Sequence, residues 1–155
     1  MKRCSKDYRR ILYDRNDANG KTRKQLLDEY GVQTIVMGTF EYYNGLLYLL
    51  APALADPAQT EWKLVFGDAD ALVFMRHPPQ DVQVLDSLQV LPHIEAGCTL
   101  HMEHEPEYTR CARRLAQMYH EMGKLDSARD WLLEYLTRPY QPDAGAERAY
   151  KALWQ

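Results

Sequence analysis

With 155 residues, 46% apolar and 26% charged, the chain has an ordinary folded composition and room for one compact domain or two very small ones. No apolar run approaches the roughly 20 residues of a membrane-spanning helix, and the basic start MKRCSKDYRRILY lacks the apolar core of a signal peptide. The net charge of −3 is uneven: residues 1–24 hold nine Lys or Arg against three Asp, a net of +6, which leaves −9 for the remainder.

A basic arm of this kind can meet phosphate, lipid headgroups or an acidic face. No aromatic platform, Gly-rich loop or recognition-helix pattern accompanies it, so a nucleic-acid partner is not expected and a solvated terminus is the plain reading. RRILY, residues 9–13, reads as a short strand. Thr22 and Gln25 make a capping-box pattern ahead of the helix RKQLLDEY, and Gly31 falls where a helix places its C′ residue. VQTIVM, from Val32 to Met37, is β-branched and apolar and predicts a mostly buried strand. Strand, helix and strand in this compass predict a right-handed βαβ unit.

FEYYNGLLYLL, from Phe40 to Leu50, predicts a helix that Gly45 weakens. The proline-bearing loop ALADPAQTE follows. EWKLVF and ALVFMR flank GDAD and predict a β-hairpin, ended by His77, Pro78 and Pro79, since neither proline can donate to a ladder. The fold class expected for residues 1–80 is therefore α/β: a small mixed sheet with a βαβ crossover and a terminal hairpin.

Residues 81–155 switch to helical periodicity and form the second expected domain. Val84, Leu88 and Leu91 begin an apolar stripe that Pro92 would break or kink. Pro106 suits the first turn of the next helix. The stretch YTRCARRLAQMYHEMGKLDSARDWLLEYLTRP predicts two helices divided at Gly123. Leu115, Met118, Tyr119 and Met122 face one way, and Ala128, Leu132, Tyr135 and Leu136 another, as in an antiparallel pair. AGAERAYKALWQ, with Ala146, Ala149, Tyr150, Leu153 and Trp154 on one side, predicts a last helix that covers the pair.

Over residues 106–139 the pair resembles a tetratricopeptide repeat in Leu115, Ala116, Tyr119, Gly123, Leu125, Ala128, Leu132 and Tyr135, with Pro139 near the family's terminal proline. Ala112 replaces the family's first large aromatic. The resemblance implies a groove-facing row of Arg110, Arg113, Gln117, His120 and Glu121, able to hold an acidic peptide or carboxylate; a solvated face competes with that reading. Residues 9–80 are similar, in Tyr13–Gly20, Leu27–Val36 and Trp62–Arg76, to a soluble tail. That tail follows the membrane-spanning region in many bacterial polytopic proteins of the lipid-linked-sugar glycosyltransferase type. The likeness implies a periplasmic or extracytoplasmic module whose partner is a protein, a peptide or the membrane-embedded portion of the same parent chain. Catalysis would belong to that portion.

Two polar clusters qualify as candidate sites. Asp14, Arg15 and Asp17 follow the first expected strand, and Glu41, Tyr42 and Asn44 follow the second. A parallel arrangement would bring all six to one carboxyl edge, where open sheets bind ligands. Two carboxylates could divide acid and base work, and Arg15 could clamp an anion. Ordinary turn chemistry at Asn19-Gly20 explains the same residues, and no histidine or cysteine nucleophile stands nearby, so no catalytic residue is assigned. HMEHE sets His101 three residues from His104, beside Glu105, without a third strong ligand; no metal or other cofactor is expected.

Cys4, Cys98 and Cys111 fit neither a disulfide framework nor a structural zinc pattern. One bridge is compatible with the count, and the compartment, cytoplasm included, stays open. The expected function is a non-catalytic interaction or structural module without direct membrane insertion. The alternative is an accessory, substrate-contacting domain of a lipid-linked-sugar glycosyltransferase.

Overall fold

A computed structural model describes residues 2–13, 20–41, 45–56, 58–105, 109–138 and 144–153. In chain order they form α1 (Lys2–Tyr13), α2 (Arg23–Glu29), β1 (Thr34–Met37), β2 (Phe40–Glu41), β3 (Leu46–Leu47), α3 (Leu50–Leu54), β4 (Lys63–Gly67) and β5 (Leu72–Met75). Then follow a 3₁₀ turn (Ser87–Gln89), α4 (Val90–His104), α5 (Arg110–Glu121), α6 (Leu125–Thr137) and α7 (Ala144–Ala152). A sheet with interspersed helices is thus followed by a helical bundle, the expected fold class. The chain divides into two units, Met1–Thr39 with Tyr48–Ile94 and Phe40–Leu47 with Glu95–Gln155.

In the first unit local chemistry fixes most elements. The capping box of α2 forms: Thr22 Oγ1 accepts from the Gln25 N–H at 3.2 Å, and Gln25 Oε1 accepts from the Thr22 N–H at 2.8 Å. The hairpin β4–β5 forms around Asp68, whose carboxylate accepts the N–H groups of Asp70 (2.9 Å) and Ala71 (2.8 Å). Those bonds favour the charged form and hold the Asp68 carboxyl below its ordinary pKa. The sheet runs β1-β5-β4 with both pairs antiparallel, from Thr34↔Met75 to Met37↔Leu72 on the β1 side. Leu64, Leu72 and Phe74 are fully enclosed by its inner face. β1 alternates, with Ile35 and Met37 buried and Thr34 and Val36 exposed, so only one of its faces is covered.

A charged brace ties α2 to the sheet. The Arg76 guanidinium lies 4.7 Å from the centre of the buried Trp62 ring and pairs with Asp28 and, at 3.3 Å, with Glu61. Lys24 bridges the same two carboxylates. The hydrogen bond from Arg76 keeps the Asp28 carboxyl below its ordinary pKa, and the bond to Glu61 lifts that of Lys24.

Three expectations are corrected here. Residues 9–13 are the end of helix α1, not a strand, so the βαβ crossover does not form. Lys and Arg are good helix formers, Leu12 alone is buried, and the Arg23 Nε–H donates to the Ile11 carbonyl at 2.8 Å, seating the helix on α2. Residues 40–50 do not make one helix: β2 and β3 pair antiparallel, Phe40↔Leu47 and Glu41↔Leu46, and α3 begins only at Leu50. Gly45, at φ 62°, supplies a turn conformation that a helix interior would waste. Finally, Val84 and Leu88 are exposed and precede α4; Asp86 caps the 3₁₀ turn, and Pro92 sits in the first turn of α4, where its missing N–H breaks no helical bond. Pro106 and Pro139 lie outside the described residues.

In the second unit α5 and α6 form the expected antiparallel pair. Gly123, at φ 73°, turns the chain: its N–H donates to the His120 carbonyl and that of Lys124 to the Tyr119 carbonyl. Ala112, Ala116 and Ala128 are buried at the seam. Cys98 of α4 and Cys111 of α5 form a disulfide with a Cα–Cα distance of 5.8 Å, and both residues are fully enclosed. One carboxylate oxygen of Glu95 accepts both the Tyr119 hydroxyl (2.8 Å) and the Trp131 indole N–H (3.0 Å), joining α4, α5 and α6. Arg138 adds a further tie, donating to Glu134 and to the Met102 carbonyl.

Candidate functional site

α5 is amphipathic at helical spacing. Cys111, Leu115, Met118 and Tyr119 are buried, while Arg113, Gln117, His120 and their neighbours face outward. α7 packs beside it through buried Ala146, which meets Ala116 and Leu132 with Trp131, Tyr135 and Tyr150 around them. Alanines recur every three residues along α7, at Ala146, Ala149 and Ala152, and they leave space where larger side chains would close the seam. The result is a cavity of about 320 Å³. Ala116 and Leu132 form its floor, Arg113, Gln117 and His120 one wall, and Ala149, Ala152 and Leu153 the other.

The polar wall is ordered along the helix. Arg114 donates to Gln117 Oε1 at 2.9 Å, and Gln117 Nε2 donates to Glu121 at 3.0 Å, so the amide is held over the cavity mouth. Behind it, burial and then the bond to Glu95 raise the Tyr119 pKa, keeping the phenol a donor. The two helices that wall the cavity carry Arg110, Arg113, Arg114, Arg148 and Lys151 against only Glu121 and Glu147. A planar guanidinium, an imidazole and an amide above an apolar floor are equipped to recognise a carboxylate beside an apolar group. The volume sits at the small end of ligand pockets.

Of the five residues expected on this face, Arg113, Gln117 and His120 line the cavity; Arg110 and Glu121 do not, although Glu121 reaches it through Gln117. The other candidate cluster is not placed. Asp14, Arg15, Asp17, Tyr42 and Asn44 lie outside the described residues, and Glu41 ends β2, half-buried, opposite Leu46. Its premise was a parallel pair of strands, and residues 9–13 are helical. His101 packs edge-on against Phe40, 6.4 Å between ring centres, and no cluster of three or more His, Cys, Asp or Glu able to hold a metal exists among the described residues.

Sequence reasoning placed Ala149 and Leu153 on the covering side of a last helix but missed the cavity they wall, and it missed the Glu95 anchor. The three-residue alanine spacing was the available signal for the first; nothing local marks Glu95, because its donors lie on two later helices. No family model matches the chain, and no curated protein or solved structure matches it significantly.

Proposed function

We propose that the chain is a non-catalytic interaction module, the extracytoplasmic tail of a larger membrane protein, whose helical unit docks a partner segment in the α5–α7 cavity. The segment is a peptide bearing an apolar side chain for the floor and a carboxylate for Arg113 and His120. The cavity carries the reading: it unites a cationic wall and an apolar floor on the face that the likeness to a tetratricopeptide repeat assigns to peptide binding. The excess of cations on α5 and α7 supports an acidic partner. The enclosed Cys98–Cys111 bridge supports an oxidising compartment, where structural disulfides persist.

An array of acidic and neutral peptides with varied apolar residues tests the binding reading. The best binders weaken about tenfold or more on Arg113→Ala or His120→Ala, the loss typical of a central contact, and on Ala149→Trp, which fills the cavity. Affinities that survive all three substitutions dismiss this face.

A further inference from the structure

Within the basic arm, residues 2–13 are neither a strand nor a loose tail but helix α1. Lys6 and Arg9 are three residues apart, an interval that sets side chains on one face of a helix. Lys6 and Arg9 are exposed. The helix is held from its other sides: Leu12 is buried, and Arg23 donates to the Ile11 carbonyl. Asp7 is the only acid of α1, and it is engaged by the Tyr30 hydroxyl at 2.8 Å and by Arg10 at 3.8 Å. That acid is therefore turned toward α2 rather than toward Lys6 and Arg9. The face ends at Tyr13, half-buried against Tyr48 with ring centres 5.5 Å apart.

We infer that this face of α1 rests on an anionic bilayer surface, contacting lipid headgroups through Lys6 and Arg9 without insertion. Charge complementarity selects the occupant. A flat anionic surface needs only the one helix face that carries Lys6 and Arg9. A nucleic acid asks for several convergent cations, whereas α1 sets two exposed cations beside a single exposed ring, Tyr8, in a chain that carries a net charge of −9 beyond residue 24. No helix among the described residues is long and apolar enough to cross a membrane, so the contact is peripheral. The inference rests on α1 and not on the α5–α7 cavity, so either reading can fail alone.

Co-sedimentation of the full chain with lipid vesicles tests it. The protein pellets with vesicles of equal parts phosphatidylcholine and phosphatidylglycerol, and not with phosphatidylcholine alone. Binding fades as salt shortens the Debye length from about 30 Å to about 10 Å. The double variant Lys6→Glu/Arg9→Glu binds the anionic vesicles at least about twentyfold more weakly, roughly fivefold for each of the two lost cations before the added repulsion of the two carboxylates. Lys63→Glu, a reversal on an exposed strand residue, leaves binding unchanged. Equal binding to both vesicles, no binding to either, retention in the double variant or an equal loss with Lys63→Glu overturns the inference. Duplex DNA that competes as well as the anionic vesicles assigns the face to nucleic acid instead.

Discussion

The two units hold together by different means. In the first, a small antiparallel sheet is tied to α2 by charge: Arg76 spans Trp62, Asp28 and Glu61, and Lys24 closes the circuit. In the second, a covalent bridge joins α4 to α5, and one carboxylate gathers donors from α5 and α6. Ionic ties on a partly exposed surface answer to pH and salt. A buried disulfide answers to neither and only to reductant. The units should therefore fail under different insults, and hydrogen exchange resolved by segment can follow each.

The largest effect belongs to the bridge. Replacing Cys98 and Cys111 together by Ala releases a short loop from the unfolded chain's constraint and costs about 3 kcal/mol. The loss is read in the exchange of α4, α5 and α6, with β1, β4 and β5 unmoved. Equal loosening of both units would break the distinction. Next comes Glu95→Ala, which strands the Tyr119 hydroxyl and the Trp131 N–H and costs about 2 kcal/mol, again in the helical unit. Glu95→Gln keeps an acceptor and loses less. Arg76→Met is smaller, about 1 kcal/mol for the contact with Trp62, and falls on the sheet; its effect shrinks in high salt, whereas that of Glu95→Ala does not.

The smallest effects are those of pH, and their signs differ. Asp28 and Asp68 have depressed pKa values in the folded state. Their contribution is complete above the ordinary 3.8 and is lost as pH falls through the folded values, so acid weakens the first unit. Tyr119 is raised, so its contribution is complete below the ordinary 10.0 and drains away as pH rises toward the folded value, weakening the second. Lys24, also raised, adds an alkaline loss above 10.5 to the first unit, from an exposed group. Thermal melts at acidic and alkaline pH, read by segment, check the assignment.

How much was legible in the sequence follows the reach of the interactions. The α2 capping box, the position of the GDAD turn and the Gly123 break depend on residues a few positions apart, and all three were readable, although the carboxylate of Asp68 that organises the turn was not singled out. Residues 9–13 and 40–50 were not, because each is a short apolar stretch compatible with helix or strand. What decides it is a partner elsewhere: β1 pairs with β5 of the distant hairpin, which leaves residues 9–13 free to be helical. The outward row of α5, with Arg113, Gln117 and His120, was expected from the likeness to a tetratricopeptide repeat. The cavity was not, since it exists only where the alanines of α7 meet α5 and α6. Pairing of Cys98 with Cys111, rather than of either with Cys4, likewise needed the two helices side by side.

The claim that the helical unit docks a peptide is tested most directly by methyl NMR of the full chain titrated with the strongest acidic, apolar peptide from the array. The account predicts shifts centred on the methyls of Ala116, Leu132, Ala149, Ala152 and Leu153, abolished by Arg113→Ala. Shifts that cluster away from those methyls, or that persist unchanged in the Arg113→Ala protein, would contradict it.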